Sequence, residues 1–188
     1  GSMAFNGYGT LLVTGDSEGR VYVWQVANGQ LIFFSQSHTD WVWTIAFHPT
    51  QDIFASASAD KTIQLWNISV NQHLRTLTGH LGRVMCIVFH PNGRFLASAS
   101  DDQTIRIWDF ESGKCLKILQ EDTHYITFHP DGNILATTSG NHKVTLWNLE
   151  YAQCLMELKH TSRVWSIDFS PNGKFIATSD EEPIVKIW

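Results

Sequence analysis

A histidine, a hydroxyl residue, an acid and a tryptophan recur in this 188-residue chain at a fixed spacing. Counted back from the tryptophan, the hydroxyl stands ten residues earlier, the acid six and the histidine twenty-eight. Serine, histidine and aspartate can together perform nucleophilic catalysis, because the imidazole takes the serine proton and the carboxylate orients the imidazole. Two units carry the complete set: His38, Ser56, Asp60 and Trp66, and His80, Ser98, Asp102 and Trp108.

The recurrence of this set argues against catalysis. A catalytic triad occurs once, in a cleft, whereas these residues return at the same register beside a tryptophan. The nine histidines have no spacing typical of metal ligands, and the sequence contains no phosphate-binding loop of the GxxxxGK[ST] type. We therefore predict that the chain is not an enzyme and holds neither a metal nor a cofactor.

The elements that must position these residues form a repeat. Each unit has a turn rich in proline and glycine, a strand of small residues, a polar turn, a strand with alternating apolar residues and a fourth strand. Four short antiparallel strands have two apolar faces, which are buried when units stack around an axis. The units end in tryptophans spaced 42, 42, 39 and 41 residues apart, at Trp24, Trp66, Trp108, Trp147 and Trp188.

The register of these residues over 5–188 resembles that of the WD40-repeat β-propellers. The resemblance implies an all-β fold of four-stranded antiparallel blades, with about 4.5 blades visible in the chain. It also implies that each set of four is a buried hydrogen-bond network, a structural tetrad. We interpret the chain as a cloning scar (1–3), a partial blade 1 (4–35), blade 2 (36–78), blade 3 (79–119), blade 4 (120–158) and a partial blade 5 (159–188).

The other three units carry altered or incomplete tetrads. Glu182 has one more methylene than the aspartate it replaces, and Asn141 replaces the acid of the fourth unit. The connection before the fourth unit is about three residues short and lacks the histidine, so we expect no complete tetrad there and a looser blade. The remaining members are Thr14 and Trp24, Thr137 and Trp147, and His160, Thr178, Glu182 and Trp188.

The resemblance places the partner-binding surface on one rim of the central channel. At the positions that face this rim in the family, this chain has several tryptophans and arginines, the side chains most enriched at binding hot spots. The alternative is that the tryptophan rings only pack between blades, as a lid over the channel. The candidate partner-binding residues are Trp41, Trp43, Arg83, Met85, Asp101, His124, Arg163 and Trp165.

Composition narrows the function classes. The net charge of −5 gives no basic footprint for nucleic acid, and no apolar run reaches the roughly 20 residues of a membrane span. Three cysteines without a CxxC favour a reducing, cytoplasmic setting.

We predict a scaffold or sensor module that binds a protein or peptide at the rim. Nucleic-acid binding by the same rim, and an enzyme at the channel mouth, are the alternatives.

Two further expectations concern the assembly and the protein class. An incomplete ring of blades would expose strand edges, so we expect either a fragment of a larger propeller or a chain that closes by self-association. Our hypothesis is a homo-oligomer, most simply a dimer, in which each arc covers the open end of the other. Segments 14–19 and 38–43 resemble the WD40 regions of bacterial signalling NTPases of the NB-ARC or NACHT-like class. That resemblance implies a sensor role in signalling.

Overall fold

The computed structural model describes residues 2–188, which form nineteen β-strands and no helix. The strands are β1 (Ser2–Phe5), β2 (Leu11–Gly15), β3 (Arg20–Gln25), β4 (Gln30–Gln36), β5 (Val42–Phe47), β6 (Ile53–Ser58), β7 (Ile63–Asn67), β8 (Gln72–Leu77), β9 (Val84–Phe89), β10 (Phe95–Ser100), β11 (Thr104–Asp109), β12 (Cys115–Gln120), β13 (Thr123–Phe128), β14 (Ile134–Ser139), β15 (Lys143–Asn148), β16 (Gln153–Lys159), β17 (Val164–Phe169), β18 (Ile176–Asp180) and β19 (Val185–Ile187).

These strands form five antiparallel sheets in chain order. Four sheets have four strands each, β1–β4, β5–β8, β9–β12 and β13–β16, and the fifth has three, β17–β19. The first strands of successive sheets, β1, β5, β9, β13 and β17, lie next to one another. This arrangement confirms the prediction of an all-β propeller fold with about 4.5 blades. We number the sheets as blades 1 to 5.

The chain start takes part in the first blade. The sequence interpretation left residues 1–3 outside the fold, but Ser2 pairs with Gly15 and Met3 with Thr14 in the β1–β2 ladder. The edge of β2 offers backbone hydrogen bonds to any extended segment beside it, so the identity of these residues matters little.

The core lies between the blades. Every residue of β6 is buried, because its sheet is covered by a neighbouring blade on each face. The alanines of the second strands let adjacent sheets approach closely, as Ala55 and Ala57 do where they pack with Val84, Ile87 and Leu96 of the next blade. Similar clusters join the other successive pairs of blades, so each blade depends on its neighbours for burial.

A histidine latch also links successive blades at the turn between their first two strands. His48 Nε2 donates to the Gly93 carbonyl oxygen of the next blade at 3.1 Å, and His90 makes the same bond to Gly132 at 2.9 Å. His129 repeats it with Gly173 at 3.0 Å. The latch needs these glycines because a Cβ on Gly132 would lie 2.2 Å from the His90 ring, and because their φ angles are positive.

Candidate functional site

The tetrad of blade 3 is a directed chain of hydrogen bonds. Trp108 Nε1 on β11 donates to Ser98 Oγ on β10 at 2.8 Å. Ser98 Oγ lies 2.7 Å from His80 Nε2, and His80 Nδ1 lies 2.8 Å from Asp102 Oδ2. With a neutral imidazole, the serine proton goes to Nε2 and the Nδ1–H donates to the carboxylate, which completes the chain of hydrogen bonds in one direction. Burial lowers the pKa of His80 and so favours this neutral form.

The acid of the tetrad is held by its own turn as well. Asp102 accepts from Thr104 Oγ1 at 2.6 Å, from the Thr104 backbone N–H at 3.0 Å and from the Leu81 backbone N–H at 2.8 Å. A carboxylate with this many donors satisfies both oxygens without a cation. The turn between β10 and β11 thus ties the loop before β9 to the middle of the sheet.

Blade 2 repeats this geometry. Trp66 Nε1 donates to Ser56 Oγ at 3.0 Å, Ser56 Oγ lies 2.8 Å from His38 Nε2, and His38 Nδ1 lies 2.8 Å from Asp60 Oδ2. Ser56 and Ser98 have no exposed surface. A hydroxyl that no substrate can reach cannot act as a nucleophile, so the chemistry of this set is structural.

Burial and hydrogen bonds shift the pKa values of the tetrad acids in opposite directions. Burial raises the pKa of the Asp60 carboxyl, but the hydrogen bonds from His38 and Thr62 outweigh it and lower that pKa from 3.8 to about 2. The Asp102 carboxyl behaves in the same way, with its pKa lowered to about 2 by bonds from Thr104, Leu81 and His80. Both carboxyls therefore remain ionised in the fold at pH values that protonate an unfolded chain.

The pKa values of two buried histidines, His80 and His48, are lowered, which favours their neutral form. Burial lowers the pKa of His80 below 6.5, and the bond to Asp102 only partly offsets it. Burial also lowers the pKa of the latch residue His48 below 6.5, against the opposing effect of its bond to Gly93. A group that binds its proton more weakly in the fold than in the unfolded chain makes stability fall as the pH falls.

We expect stability to decline in two steps on acidification. The histidine contribution is complete above pH 6.5 and is lost as the pH falls below it. The aspartate contribution is complete above about pH 4 and is lost towards pH 2, each group adding a slope of at most about 1.4 kcal/mol per pH unit. Urea unfolding at a series of pH values measures both steps. A free energy of unfolding that is constant between pH 7 and 5 would contradict the first step.

Blade 5 corrects the sequence-based tetrad. His160 Nδ1 lies 2.8 Å from Asp180 Oδ2, and the Glu182 side chain is not part of the network, although its backbone N–H donates to Asp180 Oδ1 at 3.0 Å. Thr178 Oγ1 lies 3.2 Å from His160 Nε2 and accepts from Trp188 Nε1 at 3.0 Å. Asp180, and not Glu182, contacts the imidazole because it follows Thr178 by two residues on β18. The side chains of Thr178 and Asp180 therefore share one buried face of the strand. Glu182 instead accepts from Thr161 at the surface.

Asp180 is also paired with a cation. Its carboxyl accepts from His160 and from Lys186 Nζ at 2.7 Å, and these bonds lower its pKa to about 2. Blade 1 has an aspartate at the same place, because Asp16 follows Thr14 by two residues. Arg20 Nε donates to Asp16 at 2.6 Å, and Trp24 Nε1 donates to Thr14 Oγ1 at 3.1 Å.

Blade 4 holds a different network in place of the tetrad. Glu121, from the short connection between β12 and β13, accepts from Trp147 Nε1 at 2.7 Å, Thr137 Oγ1 at 2.9 Å and Thr145 Oγ1 at 2.7 Å. One carboxylate thus takes the place of the histidine of blades 2 and 3: it contacts the hydroxyl of Thr137 and also accepts directly from the tryptophan. The sequence analysis did not identify Glu121, and the signal for it was an acid in the shortened connection immediately after β12.

The rim residues of blades 3 to 5 form one row of side chains, the rim network, in which two hydrogen-bonded pairs are joined by a longer contact between Asp101 and His124. Arg83 Nε donates to Asp101 Oδ2 at 2.8 Å, and Asp101 Oδ1 lies 3.6 Å from His124 Nε2. Arg163 Nη2 donates to His124 Nδ1 at 3.2 Å. The Arg163 guanidinium also lies 4.6 Å from the centroid of the Trp165 ring, a cation–π distance. The structure thus brings together five of the eight candidate partner-binding residues.

The tryptophans of blade 2 form a separate pair. The rings of Trp41 and Trp43 stack with centroids 4.5 Å apart and planes at 18°. Trp41 is 38 % exposed, whereas Trp43 is half-buried and its Nε1 has no hydrogen-bond partner within residues 2–188. Met85 lies half-buried on β9. No hydrogen bond or ring contact joins these three residues to the network among the described residues.

Residues 2–188 lack two other kinds of site. That part of the chain contains no group of three or more histidine, cysteine, aspartate or glutamate side chains arranged to hold a metal ion. Across the same residues we find no helix with the length and apolar character that a membrane crossing requires.

Comparison with known proteins identifies the fold family. A search of curated proteins finds no match for this chain. A family model described as the IFT122 first beta-propeller matches residues 1–188. The match covers the whole chain, and the stacked antiparallel sheets with their recurring tetrads are those of a WD40-like propeller. The chain therefore belongs to the IFT122 first beta-propeller family.

Proposed function

We propose that the chain is a non-enzymatic interaction module that binds a protein or peptide partner at the rim. One observation carries this proposal: the network from Arg83 to Trp165 connects three blades on a single rim. Propeller domains commonly mediate protein interactions, and a partner that spans several blades gains area and specificity from such a surface. The resemblance to sensor regions of signalling NTPases supports a sensor role as a narrower form of the proposal.

Arg163 is the charge in this network that is available to a partner. Arg83 is already paired with Asp101, whereas no carboxylate among residues 2–188 lies within ion-pair distance of Arg163. The Trp165 ring and His124 hold the guanidinium in one orientation, which lowers the entropy cost of binding a carboxylate. Trp165 is 43 % exposed and provides an apolar contact beside that charge.

The test removes the exposed rings of the rim. We expect the double variant Trp41→Ala/Trp165→Ala to lose captured partners by about tenfold or more, as removal of hot-spot residues does. Affinity capture from cell extract, followed by measurement of affinity with the purified partner, gives this readout. The matched control is Tyr8→Ala/Tyr151→Ala, which removes two exposed aromatic side chains from turns at the other end of the strands.

Three results would overturn the proposal. Unchanged partner affinity in the rim variant would exclude the rim, and loss of the fold by circular dichroism would favour tryptophans that serve as a lid. Salt-dependent binding of a labelled oligonucleotide that the rim variant abolishes would favour nucleic acid as the ligand. Light scattering of the unbound chain separates partner binding from self-association, since both could occupy this surface.

A further inference from the structure

The contact between blades 2 and 3 ends in a corner of three aromatic rings. The latch residue His48 lies 5.2 Å from Phe89 and 5.2 Å from Phe110, and Phe89 lies 5.9 Å from Phe110 (ring centroids). Phe110 follows the tetrad residue Trp108 by two positions and turns back onto the interface. The chain itself thus places an aromatic side chain in this corner.

At the next interface the third ring comes from a different strand, since Phe95 of β10 lies 5.7 Å from His90 (ring centroids), and no ring stands at the position of Phe110. Leu149 stands at the position of Phe110, two residues after Trp147. The pair formed by His90 and Phe128 persists at 4.9 Å, but a groove of about 590 Å³ opens beside it. Its apolar walls are Phe95, Ile107, Leu116, Phe128 and Leu149. That volume lies within the range of ordinary ligand sites.

The mouth of the groove differs from its counterpart in a second way. Arg94 and Asp109, 3.8 Å apart, are an ion pair beside the corner between blades 2 and 3. The corresponding residues of the next interface are the amides Asn133 and Asn148, which line the groove. An amide side chain can donate to and accept from a peptide backbone without the desolvation cost of a charge.

The charge around the groove favours an uncharged occupant. Lys117 Nζ donates to the backbone carbonyl oxygens of Leu149 and Glu150, so most of its donors are already used. Glu150 also lines the groove, so the lining contains one cationic and one anionic side chain. A neutral aromatic ring therefore meets apolar walls and a lining without net charge.

We propose that this groove binds an aromatic side chain of a partner peptide, with Asn133 and Asn148 meeting the peptide backbone. The ring takes the place that Phe110 fills one interface earlier. The site is distinct from the rim, because Phe95 begins β10 and Asp101 follows its last residue, about 20 Å away along an extended strand. A partner could therefore occupy the two surfaces together or separately.

The experiment titrates the labelled chain with N-acetylphenylalanine amide and follows the amide signals by NMR. We expect shifts confined to the groove residues, and none with N-acetylalanine amide. Leu149→Phe should weaken binding by about tenfold or more, which is about 1.4 kcal/mol. The matched variant Phe110→Leu/Arg94→Asn/Asp109→Asn should keep this site and add shifts around His48 and Phe89, because it opens the equivalent corner and removes the ion pair over its mouth.

A second groove variant and a longer ligand test the site and its occupant separately. The double variant Asn133→Arg/Asn148→Asp rebuilds the ion pair over the mouth without touching the core, and it should also abolish binding. The pentapeptide Gly-Gly-Phe-Gly-Gly, capped at both ends, should bind more tightly than N-acetylphenylalanine amide. Shifts at the rim alone, or binding that survives both groove variants, would overturn the site. Equal affinity for the pentapeptide and the amide would overturn the peptide as its occupant.

Discussion

Replacing His80 with phenylalanine is expected to lower the free energy of unfolding by about 2–4 kcal/mol. The change leaves the Ser98 hydroxyl without its acceptor and takes one donor from the Asp102 carboxylate. An orphaned buried polar group costs about 1–3 kcal/mol, and breaking a buried charged pair costs more. The backbone and threonine donors that remain on Asp102 keep the loss from being larger. Urea unfolding at pH 7 measures it.

A control and a second variant separate the network from general damage. His142→Asn changes an exposed histidine at positive φ to a residue that tolerates this conformation, so we expect almost no change in stability. The double variant His80→Phe/Asp102→Asn should cost less than the sum of its single changes, because the two side chains share one network. Additive losses, or a loss below about 1 kcal/mol for His80→Phe, would show that the tetrad contributes little.

The parts of the structure that could be predicted are those in which backbone periodicity fixes side-chain direction. Residues on one strand alternate between its faces, and antiparallel pairing places Ser98 beside the strand of Trp108. The spacing of Ser98, Asp102 and Trp108 in the sequence therefore carries the geometry of their network. The five-sheet architecture follows from the same repeat, because each unit buries its faces only against a neighbour.

The parts that could not be predicted depend on chain segments outside that register. Counting six residues back from Trp188 finds Glu182 in a turn, although Asp180 on the strand faces the imidazole. Glu121 lies in a connection whose shortening removes the alignment, and no periodicity sets the direction of a loop side chain. The rim network joins residues of three blades, such as His124 and Arg163, whose distances depend on how the blades pack.

Replacing Glu121 with leucine should destabilise blade 4 specifically, by about 2–3 kcal/mol. Thr145 Oγ1 loses the one side-chain acceptor that it has within residues 2–188, while Trp147 and Thr137 retain weaker bonds at 3.2 and 3.3 Å. Thr137 and Thr145 are almost fully buried, so water does not replace the lost acceptor at no cost. Urea unfolding measures the loss, and hydrogen exchange of the amides in β14 and β15 locates it.

Two comparison variants would separate the effect of the Glu121 carboxylate from that of the loop that carries it. Asp122→Asn changes the exposed acid next in the chain and should leave stability unchanged within about 0.5 kcal/mol. Glu121→Gln keeps the shape but turns one acceptor into a donor that faces other donors, so its loss should approach that of Glu121→Leu. If Glu121→Leu instead left exchange in β14 and β15 unchanged, the strand ladders alone would hold blade 4. Any looseness of blade 4 would then result from the missing histidine and the shortened connection, and Glu121 would not compensate for them.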